Sequence, residues 1–238
     1  MNILHKYHQE DWHTPEGKML RDVIFGLNDG LVTSIGFVSG VTGAVFQNKV
    51  IVLTGIAQII AGGIAMFIGA YLSNKSQEEF FLKEIAREKR EIKEIPEIEK
   101  QEIRDIYSDM GFLPDEVEMI VKRITSDEKL WVRFMMREEL GILEEEMKSP
   151  VKAGMIMGGT FMLGGAFPLF PYFFIQNTFM ALKVSIFVSA LVFFTIGVGK
   201  STLTKTHWFK SGVQVTFLGG LAALVGFLIG KGIGMFIT

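Results

Sequence analysis

Apolar residues fall into five long runs, at about 22–46, 50–73, 152–175, 180–199 and 211–237. Each is about 20 residues or longer. At about 1.5 Å per residue, a helix of that length crosses a hydrocarbon core about 30 Å thick. Lipid offers no water to backbone N–H and C=O groups, so helices are the only sensible reading of such runs. Between the second and third runs the pattern changes. In SNKSQEEFFLKEIAREKREIKEI (73–95) the residues Phe80, Phe81, Ile85, Ile92 and Ile95 interrupt a charged, helix-forming stretch, and Pro96 forces a break. EIEKQEIRDIYSDM (97–110) predicts a second helix, ended by Gly111. LPDEVEMIVKRITSD (113–127) opens with Pro114 and acids in its first turn, and DEKLWVRFMMREELGILEEEM (127–147) predicts a fourth. The predicted fold is an all-α membrane protein with five transmembrane helices and a helical insert between helices 2 and 3. Residues 1–73 hold the N-terminal tail and helices 1–2, residues 74–148 the insert, and residues 149–238 helices 3–5.

Composition agrees with a membrane protein: 49% of the 238 residues are hydrophobic and 26 are glycine. Cysteine is absent, which excludes disulfides and thiolate chemistry, and a net charge of −2 gives no basic excess for nucleic acid. The distribution of charge says more than its sum. The insert holds 21 acidic and 14 basic side chains, a local charge of −7. Elsewhere only Glu10, Asp11, Glu16, Asp22 and Asp29 are acidic, and the first three lie in the polar tail. Lys6, Lys18 and Arg21 precede helix 1, and Lys200, Lys205 and Lys210 lie between helices 4 and 5. The positive-inside tendency then places the N-terminus, the insert and the 4–5 loop in the cytoplasm. The tail lacks an apolar h-region, so no cleavable signal peptide is expected. A chain this compact, without targeting extensions, suits a prokaryotic plasma membrane.

Asp29 is the charge that most needs explaining. A carboxylate at mid-bilayer costs a few kcal/mol, so it normally faces a cavity, a partner or a transported ion. Gly26, Gly30, Gly36 and Gly40 permit close helix contact, and Asn28 adds an oxygen ligand. Asp22, seven residues earlier, points nearly the same way, or else sits as an interfacial acid beside Arg21. On helix 2, Met66 follows Gln58 by about two turns; a thioether is a soft metal ligand, though Met in an apolar helix is ordinarily packing. In the insert, Glu84, Glu88 and Glu91, and also Glu99 and Glu102, share helical faces, and Met135 and Met136 precede Glu139 by four and three residues. Such a set suits a divalent cation. The plainer alternative is a solvated acidic face paired with Lys83, Lys89, Lys93 and Arg104, with the methionines in an amphipathic stripe.

Four motifs, in order, cover essentially the whole chain: RDVIFGLNDGLVTSIGFVSGV (21–41), LTGIAQIIAGGIAMFIGAYLSNKSQ (53–77), REKREIKEIPEIEKQEI (87–103) and WVRFMMREELG (131–141). On these the chain resembles the vacuolar iron transporter family (VIT/CCC1-like). The resemblance implies homodimeric transporters with five membrane helices, not enzymes. They carry Fe²⁺ and similar divalent ions (Mn²⁺, Co²⁺, Zn²⁺) out of the cytoplasm, in some members by proton exchange, with no resident cofactor. It implies Asp29 and Met66 as membrane-embedded ligands, with Asp22 nearer the cytoplasmic mouth. It implies Glu88, Glu91, Glu99, Glu102, Met135, Met136 and Glu139 as a cytoplasmic metal-binding domain. The chain departs from many relatives at Gln58 and Ala70, where they carry Glu. Two other function classes stand beside the transporter: a membrane ferroxidase and a membrane-anchored metal sensor. A di-iron carboxylate bundle usually uses Glu-x-x-His pairs, yet His5, His8, His13 and His207 all lie outside the insert.

Overall fold

Glycines decide how the apolar helices meet. In the computed structural model, which describes residues 15–44, 47–139 and 149–237, helix α1 (Pro15–Ala44) packs against α6 (Pro150–Leu169) and against α9 (Trp208–Ile237). A Cβ added at Gly30 would overlap the carbonyl of Phe161, and one at Gly164 would overlap that of Leu27. Across the α9 contact, Gly226 lies on the carbonyl of Gly36 and Gly230 on that of Gly40. The GxxxG spacing of Gly226, Gly230 and Gly234 therefore serves backbone-to-backbone packing, the arrangement that compensates for the missing hydrophobic drive between helices in lipid. Helix α8 (Thr178–Thr204) packs against α9 and α1, with Leu31, Ile35, Phe193 and Ala223 filling the space between.

Helix α2 (Asn48–Glu94) begins in this unit, which comprises the residues up to Tyr71 and those from Pro150 onward. Its Leu53, Ile56, Ile60, Ile64, Ile68 and Leu72 form an exposed apolar stripe, a face suited to lipid rather than water. The first residue of α2 is tied to the chain entering α8. The Asn48 amide donates to the carbonyls of Ile175 and Gln176, and Thr178 Oγ1 donates to Asn48 Oδ1 at 2.7 Å.

Among the described residues the chain is helical, with no strand. Four helices are long and apolar enough to cross a membrane: those at Met19–Ala44, Asn48–Glu94, Thr178–Ser201 and Trp208–Met235. The run expected as a fifth, at 152–175, is not among them. It folds as α6 and a short α7 (Pro171–Phe174), parted at Phe170, and Lys152 and five glycines lower the hydropathy of α6. Two of those glycines, Gly164 and Gly165, let α1 approach, and Gly154 and Gly158 let α2 approach.

The second unit, Leu72–Ser149, contains the end of α2 with α3 (Pro96–Asp109), α4 (Pro114–Ile124) and α5 (Glu128–Glu138). Its boundaries follow local chemistry. Pro96 and Pro114 occupy first turns, where their missing N–H groups cost nothing, and Gly111 takes φ +90° after α3. Asp127 caps α5 by accepting from the N–H groups of Lys129 and Leu130. Phe81, Ile92, Ile103, Val117, Val121, Ile124, Trp131, Val132, Met135 and Met136 form one apolar core. The expected continuation of α5 to residue 147 lies outside the described residues.

Candidate metal site

Three carboxylates from three helices converge in the second unit. Oxygens of Glu88 on α2, Glu99 on α3 and Glu139 just past α5 lie within 4.8 Å of one another. A first-row divalent ion bound at about 2.1 Å places its oxygen ligands about 3 to 4.2 Å apart, so the three side chains draw closer together to close the set. Glu88 is 1% exposed and Glu99 is 2% exposed, while Glu139 stands at the open side. Both oxygens of Glu88 and one of Glu99 are buried with no hydrogen-bond partner among the described residues. Buried carboxylates in that condition are costly, and a shared proton or a bound cation relieves them.

The proton affinities follow. Burial first, and then the neighbouring carboxyls of Glu99, Glu139 and Glu91, push Glu88 up to about 8. Burial likewise raises Glu99, Glu102 and Glu139. Glu91 and Glu102 lie outside the tight trio, but their charge acts on it. An acid raised in the folded state binds its proton more tightly folded than unfolded. Its stabilising effect is full below the unfolded value near 4.5 and is lost as pH rises toward 8. Metal-free protein is therefore expected to unfold at progressively lower temperature from pH 5 to pH 8. Glu88→Gln should flatten that slope in a thermal scan.

Two of the basic side chains offered by the plainer reading have partners outside the trio. Lys93 pairs with Glu128 at 3.3 Å and Arg104 with Glu118 at 2.6 Å. Arg87, which the sequence reading does not single out, bridges Glu84 at 2.8 Å and Glu91 at 3.3 Å. Its spacings of three and four residues on α2 are the available signal.

Both methionines belong to the apolar core, with Met135 fully buried. Met135 lies four residues before Glu139 and four after Trp131, on one stripe of α5. Met136 faces a groove that it shares with Ile85, Lys89, Lys93, Val132 and Arg133.

In the membrane-type unit, Asp22, Asn28 and Asp29 are half-buried on α1, on the side where Phe25 and Thr33 are exposed. Arg21 lies 3.9 Å from Asp22, whereas Asp29 makes no ion pair among the described residues. Ser34 donates to Gln58 Oε1 at 3.0 Å, so Gln58 has a packing role on α2. Helix α2 turns back from α1 after a short connection. Counting back along both helices from that connection brings half-buried Met66 near the level of Gly26, between Asp22 and Asp29. Ala70, the other position of departure on α2, is buried.

Residues 20–231 match the VIT family. The chain is 31% identical over 224 residues to vacuolar iron transporter 1 of Arabidopsis thaliana, covering 94% of this chain and 90% of that one. It is 33% identical over 230 residues to the vacuolar iron transporter of Centaurea cyanus, covering 96% and 91%. It is 29% identical over 217 residues to protein CCC1 of Saccharomyces cerevisiae, covering 87% and 66%. The plant relatives are vacuolar by name, so they lend no support to the prokaryotic plasma membrane expected from the chain's compactness. Motif order, helical architecture and these matches over nearly the full length agree: the chain belongs to the VIT family.

Proposed function

We propose that this protein is a transmembrane transporter that moves Fe²⁺, and the chemically similar Mn²⁺, Co²⁺ and Zn²⁺, out of the cytoplasm in exchange for protons. The observation that carries the reading is the convergence of Glu88, Glu99 and Glu139, the first two buried with oxygens that no described protein group satisfies. The names of the relatives support iron as the cargo. The insert faces the cytoplasm and gathers the ion, aided by its local charge of −7. Glu88, Glu91, Glu99, Glu102 and Glu139 supply hard oxygen ligands; Met135 and Met136 supply soft sulfur at the core side. The ion then passes Asp22 and reaches Asp29 and Asn28 on α1 and Met66 on α2. Helix α6 crosses the bilayer as the fifth span, shielded by α1 at Gly164 and Gly165 and by α2 at Gly154 and Gly158.

A half-open carboxylate on a membrane helix calls for a cover. A second copy meeting α1 on the Phe25–Asp29–Thr33 side would provide one, and would place two Asp29 residues around one path. Asp29 takes up a proton as it releases metal, so that no bare charge is left in the apolar layer.

The test is Fe²⁺ flux into proteoliposomes under reducing conditions. Uptake above that of empty vesicles, faster with a proton gradient opposing the metal flux, is the expected result. Oxygen consumption with a ferric product and no flux would favour the ferroxidase instead. Metal binding with neither flux nor oxidation would favour the sensor.

A further inference from the structure

The carboxylate cluster is not uniformly without counter-charge. Its inner pair, Glu88 and Glu99, is buried, and the influences on both are burial and other carboxylates. The outer edge differs. Arg87 Nη1 lies 2.8 Å from Glu84, Arg87 Nε lies 3.3 Å from Glu91, and the guanidinium charge also reaches Glu102 and Glu139. Several other cations of the unit are engaged elsewhere: Lys100 with Glu97, Lys93 with Glu128, Arg104 with Glu118 and Lys75 with Glu78. The Arg87 side chain is 42% exposed, so its end has room to leave toward solvent on a flexible stem. Glu84 lies outside the convergent trio and can hold the guanidinium when Glu91 does not.

We propose that Arg87 is the resident counter-cation of this cluster, occupying its outer carboxylates in the metal-free protein and giving them up when a divalent ion enters. The inference rests on the metal-site reading above. Arginine and metal are both positive and act on one carboxylate cluster, the guanidinium on its outer edge and within reach of Glu139, so each weakens the other's hold, and the coupling is reciprocal. A transporter needs an ion captured and then released. An internal competitor holds the affinity below what five carboxylates would otherwise produce, and its return helps expel the metal.

The experiment is an Mn²⁺ titration of the full-length protein in detergent, reading free Mn²⁺ by electron paramagnetic resonance. Removing one positive charge about 6–8 Å from a divalent ion in water-like surroundings gives an expected gain in affinity of about three- to tenfold for Arg87→Gln. The gain should narrow in high salt. Arg87→Lys, which keeps the charge, should stay near wild type. Arg87→Gln should also unfold at lower temperature without metal and gain more from added Mn²⁺ than wild type does. Arg87→Met, which keeps the stem, replaces Gln if that variant does not fold. Equal or weaker binding by the uncharged variant, or equal changes in Gln and Lys, would overturn the proposal and leave Arg87 a structural strut. A wild-type protein with no Mn²⁺ component sensitive to Glu88→Gln would instead overturn the site itself.

Discussion

Replacing Asp29 with alanine is expected to cut Fe²⁺ uptake into proteoliposomes by about two orders of magnitude, equivalent to about 2.7 kcal/mol on the transport barrier. A divalent cation cannot enter a hydrocarbon layer without ligands to replace its water, and Asp29 is the one carboxylate well inside an apolar run. Among the described residues it has no fixed counter-ion that would explain its presence otherwise. Asp29→Asn keeps the size and loses the charge, and should fail to nearly the same degree. Asp22→Asn should be milder, because Asp22 lies toward the helix end beside Arg21. Flux equal to wild type in Asp29→Ala would remove α1 from the pathway.

Gly230→Leu is expected to abolish assembly of the membrane-type unit. A Cβ at that position would overlap the backbone of Gly40, and backbone cannot step aside as a side-chain end can. Overpacking of a mobile side chain costs about 1–3 kcal/mol, and a clash against a facing helix backbone exceeds that. The expected result is loss of the monodisperse peak in detergent gel filtration and of the cooperative thermal transition. Gly232→Leu is the control. It lies on the same helix, one turn after the exposed Leu228, with nothing within 4 Å of the space a Cβ would take. That variant should behave as wild type in both measurements.

The two halves of the molecule are legible in the sequence to different degrees. Apolar runs suffice to foresee α1, α8, α9 and the first part of α2, because length and composition act locally; the charged stretch at 73–95, expected as a helix of the insert, continues α2 without a break. The run at 152–175 is harder. Its glycines both lower hydropathy and permit the contacts with α1 and α2, and a contact between distant segments leaves no mark on a local window. In the insert, helical spacing brings out Glu88, Glu99 and Glu139 individually. Their meeting depends on how α2, α3 and α5 pack around Ile103 and Met135, which spacing within one helix cannot reveal. Arg87 escapes notice for the opposite reason: its spacing to Glu84 and Glu91 is common on any charged helix.

Helix α1 is held at backbone distance on two sides, by α6 at Gly30 and Gly164 and by α9 at Gly36, Gly40, Gly226 and Gly230. At those points no side-chain layer lies between the backbones to shear. The three helices must therefore travel as a single frame, with Asp29 fixed to it like a mark on a stator. Under the proposed pathway, rocking α1 alone past its neighbours would break these contacts, so access to Asp29 is expected to change through movement of something else across its open face.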